Sequence, residues 1–189
     1  MSEMRPPMAR PPLALGCLAA AGLAGLVVVM VILGVRYLES GSDDGNLPLD
    51  AAESYAKPSV TRSGEDGLWV VRTDKGEFFA LADMDAANRL AAGRKCKVNP
   101  IGASDPALAE LLSRYRGSIS APAANIGLLF REDCNGAVYD AAGVRQDGEG
   151  PNLDRFATSV DSEGRLVVKT AKRSCTTRDG KESFAKTEC

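Results

Sequence analysis

The chain of 189 residues contains no histidine. That absence removes Ser-His-Asp and Cys-His hydrolase sites, imidazole-held metals and haem ligation through histidine, because each depends on an imidazole. Surplus charge is lacking too. Since 23 basic side chains face 25 acidic ones, there is no cationic excess to attract a phosphate backbone, and nucleic acid is not an expected partner. There is no Gly-rich phosphate loop, no Cys-x-x-Cys knuckle and no Cys-x-x-Cys-His haem-attachment run. Ser118, Ser120 and Ser159 have no base near them in the sequence, and Glu132 and Asp133 adjoin Arg131, which suits a surface turn better than an acid-base pair. An enzyme is the least expected class. Binding, assembly and redox chemistry without imidazole remain.

Charge is also missing from Pro11 to Val35, where Leu13 to Val35 is almost continuously apolar. A run of that length crosses the roughly 30 Å hydrocarbon core as a helix, and the sequence predicts a single membrane span over 12–36. A cleaved signal peptide is the rival, but its apolar region is usually only about 7–15 residues long, and Arg36-Tyr37-Leu38-Glu39 offers no small-residue cleavage site. Arg5 and Arg10 precede the span, whereas Glu39, Asp43 and Asp44 follow it. The positive-inside bias puts residues 1–11 in the cytoplasm and the chain beyond about residue 40 on the periplasmic or extracytoplasmic side of the cell membrane. Cys17 precedes most of the apolar run, unlike a lipoprotein cysteine, and is read as an inert thiol within the helix. Gly16, Ala20 and Ala24 stand four apart, as do Ala21 and Gly25, a spacing that permits close helix packing but that Ala-rich helices also produce by chance.

Residues 37–67, rich in Ser, Gly, Asp and Pro, read as a flexible tether. Short strand-like runs follow at Leu68–Arg72, Glu77–Leu81, Ile126–Arg131, Ala137–Asp140, Arg155–Val160 and Arg165–Thr170, several separated by turn signals such as Asp74-Lys75-Gly76 and Asp161-Ser162-Glu163-Gly164. The pattern predicts a mainly β domain, a small antiparallel sandwich or barrel. One helix is inserted: Asp105 is a good N-cap, Pro106 suits the first turn, Leu108, Leu111, Leu112 and Tyr115 form an apolar stripe, and Gly117 stops it. A weaker helical stretch covers Met84 to Ala92. Four cysteines, Cys96, Cys134, Cys175 and Cys189, fall on the exported side, where thiols are oxidised in pairs, and four allow three connectivities. Local closure of Cys175 with Cys189 in the tail 171–189 would leave Cys96 for Cys134. Zinc held by four thiolates is the alternative.

Cys134-Asn135-Gly136-Ala137-Val138-Tyr139-Asp140, then Gly143, Gly150-Pro151, Arg155-Phe156 and Asp161 to Val168, resembles the second half of a Rieske iron–sulfur domain of the cytochrome bc/bf type. In that family the segment runs Cys-Pro-Cys-His-Gly-Ser, an aromatic with Asp or Asn, a glycine turn, Gly-Pro, and a hairpin ending in an apolar strand. The resemblance spans roughly 68–170 and is strongest over 130–170. It implies a Rieske-like domain over 68–170 in which Cys134 is the non-ligating cysteine of the second loop and Cys96 its disulfide partner in the first. The family's cluster ligands then fall on Ala91, Gly93, Glu132 and Asn135.

A two-iron two-sulfur Rieske cluster needs two thiolates and two imidazoles, so the resemblance implies a degenerate member with no cofactor. There is also no twin-arginine pair before the span. The expected function is that of a cluster-free accessory or structural subunit of a respiratory or photosynthetic membrane electron-transfer complex, with the membrane and the other subunits of that oxidoreductase as partners. One alternative is a redox protein in which Cys96 and Cys134 cycle as a dithiol, or hold an unconventional metal with Glu132. Arg94, Lys95 and Lys97 around Cys96 would suit a reactive thiol, although such a run is more often a solvated loop. The other alternative is an exported binding module unrelated to electron transfer.

Overall fold

The computed structural model describes residues 29–31, 45–63, 67–90, 93, 95–180 and 182–189. The chain divides into two compact units, 1–44 and 45–189. In the first, residues 29–31 are helical, and the rest of the predicted span 12–36, the segment 1–11, Cys17 and the small-residue stripe lie outside the described residues. Among the described residues no helix is long and apolar enough to cross a membrane.

The second unit is mainly β. Its strands are β1 (Asn46–Ala51), β2 (Ser59–Ser63), β3 (Leu68–Arg72), β4 (Phe78–Asp85), β5 (Val98–Pro100) and β6 (Leu129–Glu132). There follow β7 (Val138–Asp140), β8 (Gly150–Pro151), β9 (Leu153–Val160), β10 (Arg165–Ser174), β11 (Thr176–Asp179) and β12 (Glu182–Lys186). Among the described residues there are also two α-helices, α1 (Ala86–Leu90) and α2 (Pro106–Tyr115), and short 3-10 turns at Ala52–Ser54 and Ala121–Ala123. The strands form a six-stranded sheet in the order β1-β10-β9-β4-β3-β2 and two three-stranded sheets, β5-β6-β7 and β12-β11-β8. All pairings between these strands are antiparallel.

Strand β3 shows why the large sheet forms. Its core Leu68-Trp69-Val70-Val71 is buried throughout, because both faces of the sheet are covered and the period of two sends neighbours to opposite sides. Trp69 and Val71 pack with Phe79, Leu81, Phe130, Tyr139 and Leu153 on one side, while Leu68 packs with Ala80, Phe156 and Val168 on the other. The sheet β5-β6-β7 is split in the same way. Phe130 and Tyr139 point to the large sheet, whereas Leu129 and Val138 meet Leu108 of α2. Layers of α2, small sheet and large sheet result. The Trp69 indole donates to the Val98 carbonyl at 2.8 Å, fastening β3 to β5.

Helix α2 starts as its sequence predicts, with the Asp105 carboxylate accepting from the Ala107 N–H at 2.9 Å. Of the weaker stretch, Met84 belongs to β4 and Ala86–Leu90 to α1, where the Asp85 carboxylate accepts from the Asn88 N–H at 2.7 Å, and residues 91–92 lie outside the described residues. The strand predicted at Ile126–Arg131 begins later, at Leu129.

Two expectations need correction. The stretch 37–67 is not a tether throughout: β1 and β2 lie within it and form the two edges of the large sheet. Leu47 and Leu49 alternate with outward residues and pack against the core, and Pro48 is tolerated because an edge strand can lose a ladder donor. The Arg72 guanidinium holds the intervening turn by donating to the Ala52 and Tyr55 carbonyls at 2.8 and 2.5 Å. The polar segment 171–189 is likewise no loose tail. Strand β10 continues to Ser174, and β11 and β12 form a hairpin that pairs with β8. Asn152 anchors it, its amide donating to the Thr176 hydroxyl at 2.9 Å and the Ser183 carbonyl at 2.8 Å.

Candidate functional site

The loop leading into β5 and the β6–β7 turn meet at the end of the small sheet. Val98 pairs with Glu132 in the ladder, and the Asp133 N–H donates to the Lys97 carbonyl at 2.9 Å, so Cys96 and Cys134 are brought face to face. They form a disulfide with 38 residues of sequence separation. Cys175 and Cys189 form the second, across 14 residues. Of the three connectivities the sequence allows, this is the one in which the C-terminal pair closes locally. Four thiolates on one zinc are excluded by the same pairing.

Glu132 is the center of this corner. It is only 1% exposed, yet its carboxylate accepts from the Cys134 N–H at 2.9 Å and the Asn135 N–H at 2.6 Å. A buried carboxylate is costly without partners, and two backbone donors on its two oxygens meet that cost while fixing the turn. Gly136 closes the turn with φ +74°, a conformation that suits glycine. Its N–H donates to the Glu132 carbonyl at 3.1 Å. Cys96 is buried and Cys134 is exposed.

The four positions that the Rieske resemblance assigns to cluster ligands fare differently. Ala91 lies outside the described residues, and Gly93 is an exposed turn residue. Asn135 is exposed beside Cys134, and Glu132 is the turn's clasp. Alanine and glycine carry no donor, and an amide and a committed carboxylate do not replace thiolate and imidazole, so these residues do not fit a Rieske cluster. The sulfurs of Cys96 and Cys134 and a Glu132 carboxylate oxygen lie within 4.8 Å of one another, but both cysteines are consumed by the bridge.

The charge around Cys96 is partly neutralised. Lys97 lies 2.6 Å from the buried Asp83 carboxylate, which Arg62 also approaches at 3.3 Å. Arg94 lies outside the described residues, so of the three cations only Lys95 is exposed and described.

Behind the loops the sequence reading missed a buried polar framework. Asp140 accepts from the N–H groups of Ala142 at 2.9 Å, Val144 at 3.0 Å and Ser120 at 2.8 Å, tying the β7 turn to the segment after α2. Burial pushes its carboxyl pKa up, and the bonds from Ser120, Val144 and Ala142 pull the other way. Tyr139 donates to Asp85 at 2.9 Å, and burial, reinforced by the Asp85 charge, raises its phenol pKa far above the ordinary value. Gly143, φ +81°, lets this turn press on the core, since a Cβ there would sit 3.1 Å from Leu81 and 3.2 Å from Leu153. The Asp-x-x-Gly spacing of Asp140 and Gly143 was the available signal. Nothing local marks Glu132 as a clasp.

Comparison with protein-family models, with curated proteins and with solved structures finds no match for this chain.

Proposed function

We propose that the chain is a Rieske-like module without its iron–sulfur cluster, anchored by one N-terminal helix with its domain on the extracytoplasmic side, and serving as an accessory subunit of a membrane electron-transfer complex. One observation carries the reading. The bridge joins Cys96 to Cys134, the pair that the resemblance makes non-ligating, while the neighbouring ligand positions hold Ala91, Gly93, Glu132 and Asn135. The loops that would have gripped a cluster are held by a disulfide and a carboxylate instead, which leaves a rigid corner suited to contact rather than electron transfer. Purification of the tagged full chain from native membranes tests the proposal. Cytochrome or other oxidoreductase subunits should accompany it, and iron assay with low-temperature EPR should find no Rieske-type signal. Isolation without such subunits, or a Rieske signal, would overturn it.

A second reading rests on the approach of Cys96, Cys134 and Glu132 to within 4.8 Å. Two electrons and two protons from a dithiol reductant would convert the bridge to two thiols, which with the carboxylate form a three-ligand set for a soft or borderline divalent metal. A bridge that stays oxidised at cellular potentials would exclude it.

A further inference from the structure

Away from the disulfide-tied loops, an open cavity of about 410 Å³ lies between the large sheet and the C-terminal hairpin. Lys172, Ser174 and Thr176 stand two apart, as do Phe184 and Lys186, and Arg155 faces them from β9. No carboxylate is among the lining residues. The Arg155 guanidinium is held over two rings, 4.9 Å from the Phe79 centroid and 5.3 Å from that of Phe184. Among the described residues neither Arg155, Lys172 nor Lys186 makes an ion pair. Burial lowers the pKa of Arg155, the Asp140 charge works against that shift, and the group stays charged at any physiological pH. Most other half-buried arginines of the domain do have partners: Arg72 holds two carbonyls, Arg89 pairs with Asp154 at 3.0 Å and Arg145 with Asp147 at 3.0 Å.

We propose that this cavity binds an organic phosphate, its phosphoryl oxygens held by Arg155, Lys172, Lys186 and the Ser174 hydroxyl, and its apolar body laid against Phe184. Three cations converging on one cavity repel one another until an anion enters, and a phosphate, with three acceptor oxygens and up to two charges, takes up more of these donors than a carboxylate. The Arg155 fork, already fixed by the rings, loses little freedom on binding. The Cys175–Cys189 bridge bounds the hairpin that supplies Thr176, Phe184 and Lys186, so the wall is covalently closed. The same headgroup chemistry occurs in soluble phosphate esters and in phosphatidic acid.

Calorimetric titration of the full chain in neutral detergent with phenyl phosphate should give saturable binding. Inorganic phosphate and benzyl alcohol, each supplying half of the ligand, should bind more weakly. Lys172→Gln and Lys186→Gln alter exposed side chains that the fold does not need, and together they should weaken phenyl phosphate binding by at least about tenfold. Arg155→Lys keeps the charge but loses the fork, and should also weaken it. Displacement of phenyl phosphate by micellar phosphatidic acid would identify the lipid headgroup as a source, and saturation unaffected by it would point to a soluble ester. No saturable binding, or equal affinity in the folded double-lysine variant, would overturn the proposal.

Discussion

Two corners of this domain are closed by disulfides, and they are closed for different reasons. At the C-terminus, Cys175 and Cys189 flank a hairpin whose strands are consecutive, so the bridge seals what local pairing has already built. At the small sheet, Cys96 and Cys134 are separated by β5, α2 and β6 and meet because β5 pairs with β6. The first corner borders a cavity lined by Arg155, Lys172 and Lys186. The second is organised around the buried acid Glu132. A bridge across distant segments thus goes with a buried polar clasp that positions the turn. A bridge across neighbours leaves the surrounding side chains free to face a ligand.

The largest test of this contrast is removal of each bridge in turn. In the chain-entropy account Cys96→Ala with Cys134→Ala should cost about 4 kcal/mol, and Cys175→Ala with Cys189→Ala about 3 kcal/mol, as read by denaturant unfolding of the full chain in detergent. A reversed order would show that the two corners differ by more than loop length. Next comes Glu132→Ala, which strands the Cys134 and Asn135 N–H groups and opens a space in the corner. It should destabilise by about 2–3 kcal/mol, and amide exchange at both positions should accelerate.

A smaller effect is expected from Asp105→Ala, which removes the N-cap of α2 and should cost about 1 kcal/mol in the same assay. The gentlest effect is a slope with pH. Because burial raises the folded-state pKa of Asp140 above its unfolded value, its stabilising contribution is complete below the ordinary carboxylate range and is lost as pH rises through the folded value. Asp140→Asn should flatten that part of the stability–pH profile. A carboxylate lowered by partners would instead give a loss on acidification.

Much of the fold was legible where one pattern repeated. Asp105-Pro106 with the stripe Leu108, Leu111, Leu112 and Tyr115 marked α2, and Leu68–Arg72 marked a buried strand. Leu47 and Leu49 were not enough to mark β1, because a turn-rich composition outweighed two alternating apolar residues. Residues 171–189 misled for the same reason: apart from Phe184, which packs on the core, their strands are held by backbone pairing and by Asn152. At the loop pair the cysteines were visible, but Glu132 read as part of a surface turn, since a carboxylate's burial depends on which N–H groups fold over it.

The sequence by itself determined the chemistry that is missing, the mainly β character, the inserted helix and the supply of cysteines, because composition and periodicity act through local physics. Tertiary structure alone decided which cysteines met, which acids were buried, and that Arg155, Lys172 and Lys186 face one cavity. Those outcomes depend on strands distant in sequence pairing in one register, and a one-residue shift of that register would have turned the same side chains to the opposite face.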